Sequence, residues 1–164
     1  MNAGYQGGLP GYGLPNAKGA EVSRKSQKDK PSENQDEGLN FDGDFSHEII
    51  GAAIEVQRVL GVGLLEGVYV AALAIELKER ELYFEQEAPV NAEYKGYPLG
   101  IAYRADFMVE RSVIVQLKAV DTLTEAHRAQ LLSYLRLSGL KLGLLINFHG
   151  FPVVKNIQRL VNNL

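Results

Sequence analysis

Two consecutive stretches, YRADFMVE at 103–110 and SVIVQLKAV at 112–120, carry polar residues inside strand-like, otherwise apolar sequence. Side chains alternate faces along an extended strand. Arg104, Asp106, Met108 and Glu110 therefore share one face of the first stretch, and Tyr103, Ala105, Phe107 and Val109 the other. In the second stretch Ile114, Gln116, Lys118 and Val120 share a face. A tight turn centred on Arg111 sets Asp106 opposite Gln116 and Arg104 opposite Lys118. A carboxylate beside an amide oxygen, with an ammonium one step along, suits a hard divalent cation and a phosphate. The same four residues also read as a solvated sheet face holding an Asp–Lys or Asp–Arg pair.

Glu66 is a further candidate, since it follows Gly63-Leu64-Leu65 and opens a helical pattern. An acidic residue there also serves the helix dipole. His127, Gln130 and Tyr134 stand at i, i+3 and i+7 of a later helix and form one polar stripe, the pattern of a solvated helix face as well as of a site. His47 and His149 have no partner in the sequence and read as structural. No Cys/His metal box, G-x-S-x-G elbow or phosphate loop is present.

These residues need elements to hold them. Ser46 or Asp44 can cap a helix through HEIIGAAIEVQRVLG, with Ile50, Ala53, Ile54 and Leu60 on or near one face. Gly61 and Gly63 break it. A second helix is expected from about Leu65 to Arg80, with Tyr69, Leu73, Glu76 and Leu77 at helical spacing. Tyr83–Tyr94 reads as a strand bent or interrupted at Pro89, and Lys95-Gly96 as a turn. After the two polar-bearing strands, Thr122-x-x-Glu125 signals a capping box for a helix through Leu137, ended by Gly139. KLGLLINF has the length of a buried strand, and the chain ends in a short strand or helix. The order is α-α-β-β-β-α-β plus a terminal element.

Residues 1–43 differ in texture. They hold eight of the 17 glycines and three of the six prolines, with scattered apolar residues. Such a segment buries too little apolar surface to offset its ordering entropy, so it reads as a disordered tail, with Tyr5 and Tyr12 as candidate partner contacts. The globular domain is expected over 44–164. The net charge of −3 and pI near 5.6 exclude a bulk basic footprint for nucleic acid and leave room for a local basic groove. There is no cysteine, which excludes disulfides and thiolate metal sites and fits a cytoplasmic protein. The opening residues hold no apolar signal region, and no apolar run approaches a membrane span.

Gly63-Leu-Leu-Glu66-Gly-Val-Tyr69 matches the pattern G-x-x-E-x-x-Y. YRADFMVE, VIVQLKAV and HRAQLLSYLRLSGLKLGLLINF follow it in order. Over nearly all of 46–164 the chain thereby resembles the GxxExxY family of PD-(D/E)XK nuclease-like proteins. The resemblance implies an α/β fold, a restriction-endonuclease-like core whose mixed central sheet is flanked by helices. It matches Asp106 and Lys118 to the motif's aspartate and lysine and Glu66 to the glutamate of an early helix. Gln130 and Tyr134 match a Q-x-x-x-Y element on the helix after the lysine strand. Gln116 departs from the pattern, which expects Glu or Asp there.

What the resemblance implies is metal-dependent phosphodiester hydrolysis, on DNA ahead of RNA. Asp106, the Gln116 side-chain oxygen and the Leu117 carbonyl would hold Mg²⁺ or Mn²⁺, with Glu66 joining directly or through water. Lys118 would orient or help deprotonate a water, and Gln130 and Tyr134 would position the site or the strand. Arg104 would contact a phosphate. Nucleic acid is then the expected partner, with self-association left open and no membrane. The rival reading is a nuclease-fold module that binds or assembles without cutting, with Gln116 marking lost metal affinity.

Overall fold

The structure, a computed structural model, describes residues 44–163, and the expected tail over 1–43 lies outside the described residues. Helix α1 runs over Ser46–Leu60 and α2 over Glu66–Glu79. Strands β1 (Phe84–Tyr94), β2 (Tyr97–Val109) and β3 (Val113–Lys118) follow, then helix α3 (Glu125–Ser138) and strand β4 (Leu142–Asn147). One turn of 3-10 helix at Val153–Asn156 leads into β5 (Ile157–Val161). Among the described residues, no helix is long and apolar enough to cross a membrane.

The five strands lie in the order β1-β2-β3-β4-β5. β3 and β4 are parallel and the other neighbours antiparallel. A parallel pair needs a crossover, and α3 supplies it. β3 and β4 read as near-continuous apolar runs because both faces are covered. On one side Phe107, Val109, Val113, Val115, Leu117 and β4 residues pack with α1 and α2. On the other Ala88, Val90, Ala105, Ile114 and Leu145 pack with Leu131, Tyr134 and Leu135 of α3. The mixed sheet flanked by helices is the expected α/β architecture, with β5 as its terminal element.

Helix α1 turns a different stripe inward from the one its aliphatic residues suggest. Ile49, Ala52, Ala53, Val56 and Gln57 are buried, while Ile54 is 43% exposed. Two alanines let the helix approach closely, and a glutamine completes the stripe because its polar atoms are satisfied. Gln57 Nε2 donates to the carbonyls of Gly150 (2.8 Å) and Phe148 (3.4 Å), and its Oε1 accepts the Val153 N–H (2.6 Å). One side chain thus pins the 148–153 loop to α1. Asp44 accepts the Ser46 N–H at the helix start and pairs with Arg159 of β5 at 2.7 Å. In α2 the stripe Tyr69, Leu73 and Leu77 is buried as expected, and the Tyr69 ring stacks on Phe148 with centroids 4.6 Å apart.

The first hairpin departs from strict alternation. Phe107 and Ala105 have the same parity, yet Phe107 packs with α1 and α2 and Ala105 with α3. The same switch occurs in β1 between Phe84 and Ala88, where Glu87 takes a positive φ of 51°. The expected shared face of Tyr103, Ala105, Phe107 and Val109 is therefore split at Asp106. The bend falls at Glu87, and Pro89 stays within β1, an edge strand that tolerates a missing N–H. The α3 cap also sits two residues later than expected. Thr124 is the N-cap, and His127 takes the place of the acidic partner, its Nδ1 accepting the Thr124 N–H at 3.2 Å.

Gln57→Ala should destabilise the domain by about 2–4 kcal/mol, because it strips partners from buried main-chain groups as well as removing bonds. Urea unfolding at fixed pH checks this. A change within about 0.5 kcal/mol, the range of an ordinary surface substitution, would contradict the pinning role.

Candidate active site

Where β2 and β3 part, their side chains take over from the main-chain ladder. The paired residues run from Val109↔Val113 to Phe107↔Val115. One step further, the Leu117 N–H donates to Asp106 Oδ2 at 2.6 Å, and Gln116 Nε2 donates to the same oxygen at 2.7 Å. A strand residue points its N–H and C=O to the same side. The Leu117 carbonyl is therefore directed to the edge on which Asp106 sits.

Glu66 reaches this point through the loop before α2. Gly63 turns the chain with φ +89°, a conformation that glycine adopts without steric cost. The Tyr69 hydroxyl donates to the Gly61 carbonyl (3.1 Å) and accepts the Leu64 N–H (3.2 Å). That ties the loop to the first turn of α2, where Glu66 projects. The glycine, glutamate and tyrosine of G-x-x-E-x-x-Y thus have one joint task, a fixed approach for a carboxylate. Glu66 Oε1 lies 3.7 Å from Lys118 Nζ.

Behind Lys118 the exit of β3 is fixed by buried Asn147. Its Nδ2 donates to the Val120 carbonyl (2.7 Å), and its Oδ1 accepts the Val120 N–H (3.1 Å). Sequence pattern gave no sign of this residue. His149 pairs with Asp121 at 3.0 Å nearby.

From the other side α3 brings Tyr134, 3% exposed, against Tyr103, with ring centroids 4.4 Å apart. Burial raises the pKa of the Tyr134 hydroxyl, and the Asp106 charge and Tyr103 add to this, against a hydrogen bond from Gln130. The stripe at 127, 130 and 134 is thus half-buried at Gln130 and closed by Tyr134 rather than solvated throughout. Glu66, Asp106, Gln116 and Lys118 come together with Tyr134 and Gln130 at the edge. Arg104 does not join them. It is exposed, with Nη1 on the Glu87 carbonyl at 3.4 Å, because the β2–β3 ladder stops short of it and the hairpin turns away.

The electrostatics of Asp106 follow from this enclosure. Desolvation raises its pKa and Glu66 adds to the effect, outweighing the Leu117 N–H, Lys118 and Gln116, which lower it. Gln116 itself is 5% exposed, and its Oε1 is buried without a donor. An orphaned acceptor and a carboxylate reluctant to ionise are both what a cation would satisfy. The available donors are oxygens throughout, from two carboxylates, one amide and one main-chain carbonyl, a set that fits a hard divalent ion. Among the described residues no three His, Cys, Asp or Glu cluster for a metal. The amide at 116 is one reason, since a carboxylate there would make the third acidic group.

The fold and this geometry agree with a match of residues 43–160 to the model of the PD-(D/E)XK nuclease superfamily. The chain belongs to that superfamily. No curated protein and no solved structure matches it. Nucleases of this superfamily typically use divalent metal ions, in keeping with the oxygen donors gathered around Asp106.

The pH dependence of stability tests the reading of Asp106. Its pKa is raised above the ordinary 3.8, so near and above that value the folded state holds the proton that the unfolded state releases. The stabilisation is full below the unfolded pKa and is lost as pH rises through the folded one. Asp106→Asn removes the charge and keeps an acceptor for the Leu117 N–H. It should melt higher than the parent at pH 7 without metal, with the gap closing at about pH 3, below both pKa values. Thermal melts over pH 3–8 in chelator check this. A lower melting point for the variant at pH 7 would contradict it.

Proposed function

We propose that the protein is a metal-dependent phosphodiester hydrolase of the GxxExxY type acting on DNA. The observation that carries the reading is the desolvated Asp106 carboxylate beside the Gln116 amide, whose buried oxygen has no donor, with Lys118 and Glu66 completing the group. Asp106, the Gln116 side-chain oxygen, the Leu117 carbonyl and Glu66 would hold Mg²⁺ or Mn²⁺. Such an ion lowers the pKa of a coordinated water and neutralises charge growing on the phosphate.

The chain's own residues do the rest. The Leu117 N–H holds Asp106 in place while leaving its other oxygen for ligation. Gln116 must turn its amide over to present oxygen beside Asp106, an exchange of N for O in nearly the same volume. Lys118, mostly buried beside Glu66, offers an ammonium that orients the attacking water and stabilises the developing anion. Burial and the Asp106 charge keep the Tyr134 hydroxyl protonated, so Tyr134, with Gln130 beside it, has a proton to donate toward a phosphate oxygen or the substrate strand. Arg104, exposed on the hairpin, meets a phosphate further along.

One observation favours the rival module that binds without cutting. The Gln116 N–H to Asp106 already satisfies part of the carboxylate, so the site can rest without an ion.

Gln116→Glu separates the two readings. Without metal the extra carboxylate repels Asp106, raises a pKa in the pair and lowers the melting point. With Mn²⁺ it should tighten binding by on the order of tenfold, about 1.4 kcal/mol. The variant should then gain more melting temperature from Mn²⁺ than the parent and nick plasmid DNA faster at limiting metal. Lys118→Ala added to it should abolish the nicking. A parent and a variant that neither melt higher with Mn²⁺ nor nick DNA would leave the non-cutting module as the function.

A further inference from the structure

Beside the site, between β2 and α3, lies an open hollow of about 520 Å³ lined by Tyr103, Ala126, His127, Ala129, Gln130 and Ser133. The lining holds no lysine, no arginine and no carboxylate. That lining cannot neutralise a phosphate, and it lacks the carboxylates that a cation needs. It suits a neutral, planar ligand with hydrogen-bonding edges. Tyr103 supplies a half-buried aromatic wall, braced from behind by Tyr134. Ala126 and Ala129 make the room, since any longer side chain there would fill it.

The polar atoms around the hollow are set by the fold. His127 Nδ1 accepts the Thr124 N–H, which leaves the ring proton of the neutral imidazole on Nε2 as a fixed donor. Ser133 Oγ donates to the Ala129 carbonyl at 2.9 Å, so its lone pairs remain as acceptors. Gln130 and Tyr103 line the hollow, and Tyr103 packs on Tyr134, whose hydroxyl feels the Asp106 charge. Hollow and carboxylate site are therefore neighbours through two side chains.

We propose that this hollow takes an unpaired nucleobase of the DNA strand whose phosphate enters the Asp106 site. The proposal rests on the phosphodiesterase reading and deepens it, for a base stacked inside a duplex cannot reach such a wall. The preferred substrate is then single-stranded or locally unpaired DNA. Tyr103 stacks on the base, and His127, Gln130 and Ser133 read its edge. Stacking of this kind tolerates any base, so sequence preference comes from the three polar groups.

The test uses the full chain with Ca²⁺, and a fluorescein-labelled 12-mer as single strand and as blunt duplex, followed by anisotropy. The single strand should bind at least about tenfold tighter than the duplex, within the range expected for one stacked base. Ala129→Phe, a plug at an exposed helix position, should remove most of that preference, and Tyr103→Ala should weaken the single strand alone. Circular dichroism melts check that both variants fold. 2-Aminopurine placed in the strand should be quenched by the parent and not by the plugged variant. A parent that binds the duplex as well as the single strand, or a folded Ala129→Phe that keeps the preference, overturns the inference while the phosphodiesterase reading stands. A parent that binds neither DNA and cuts neither with Mn²⁺ overturns both.

Discussion

The centre of this molecule is a carboxylate used as a joint. Asp106 takes the Leu117 N–H at the point where the ladder of β2 and β3 ends, and so closes a gap that would otherwise leave a main-chain donor unpaired. The cost is a carboxylate held away from water, with a raised pKa. Other features answer to that choice. Gln116 donates to the same oxygen, Lys118 and Glu66 stand beside it, and Tyr134 closes the side facing α3. Helix α2 can deliver Glu66 because Tyr69 ties down the preceding loop.

Gln116 gives the site its particular balance. An amide can satisfy Asp106 by donating, and it can serve a cation by accepting, whereas a carboxylate can only accept. Its buried Oε1 without a donor is the unfinished half of that arrangement. A glutamate in its place would bind a cation more tightly and would burden the ion-free fold with a second buried charge.

Much of this was legible in the sequence because it rests on short-range patterns. β3 and β4 announce themselves as apolar runs, the Tyr69–Leu73–Leu77 stripe as helical spacing, and Lys95-Gly96 as a turn. Asp106 beside Gln116 follows from alternation and one tight turn, and Gln116 does bond Asp106. What escaped depends on tertiary context. A single positive φ at Glu87 moves Ala105 and Tyr103 to the α3 side and takes Arg104 out of the group. Burial of Gln57 is affordable only because a loop more than ninety residues away offers it three partners. The buried Asn147 and the His127 cap are likewise invisible to a hydrophobic pattern. The hollow beside α3 arises from two alanines whose smallness matters only once Tyr103 faces them.

The site turns on Asp106 being a desolvated carboxylate that a cation would hold ionised. Carbon-13 NMR of aspartate-labelled protein, titrated in pH without metal and then with saturating Mg²⁺, measures this directly. Asp106 should titrate above the ordinary aspartate range without metal and fall well below it with Mg²⁺, with the other aspartates of the domain little changed. An Asp106 titration at an ordinary value, or one that Mg²⁺ leaves where it was, would contradict the account.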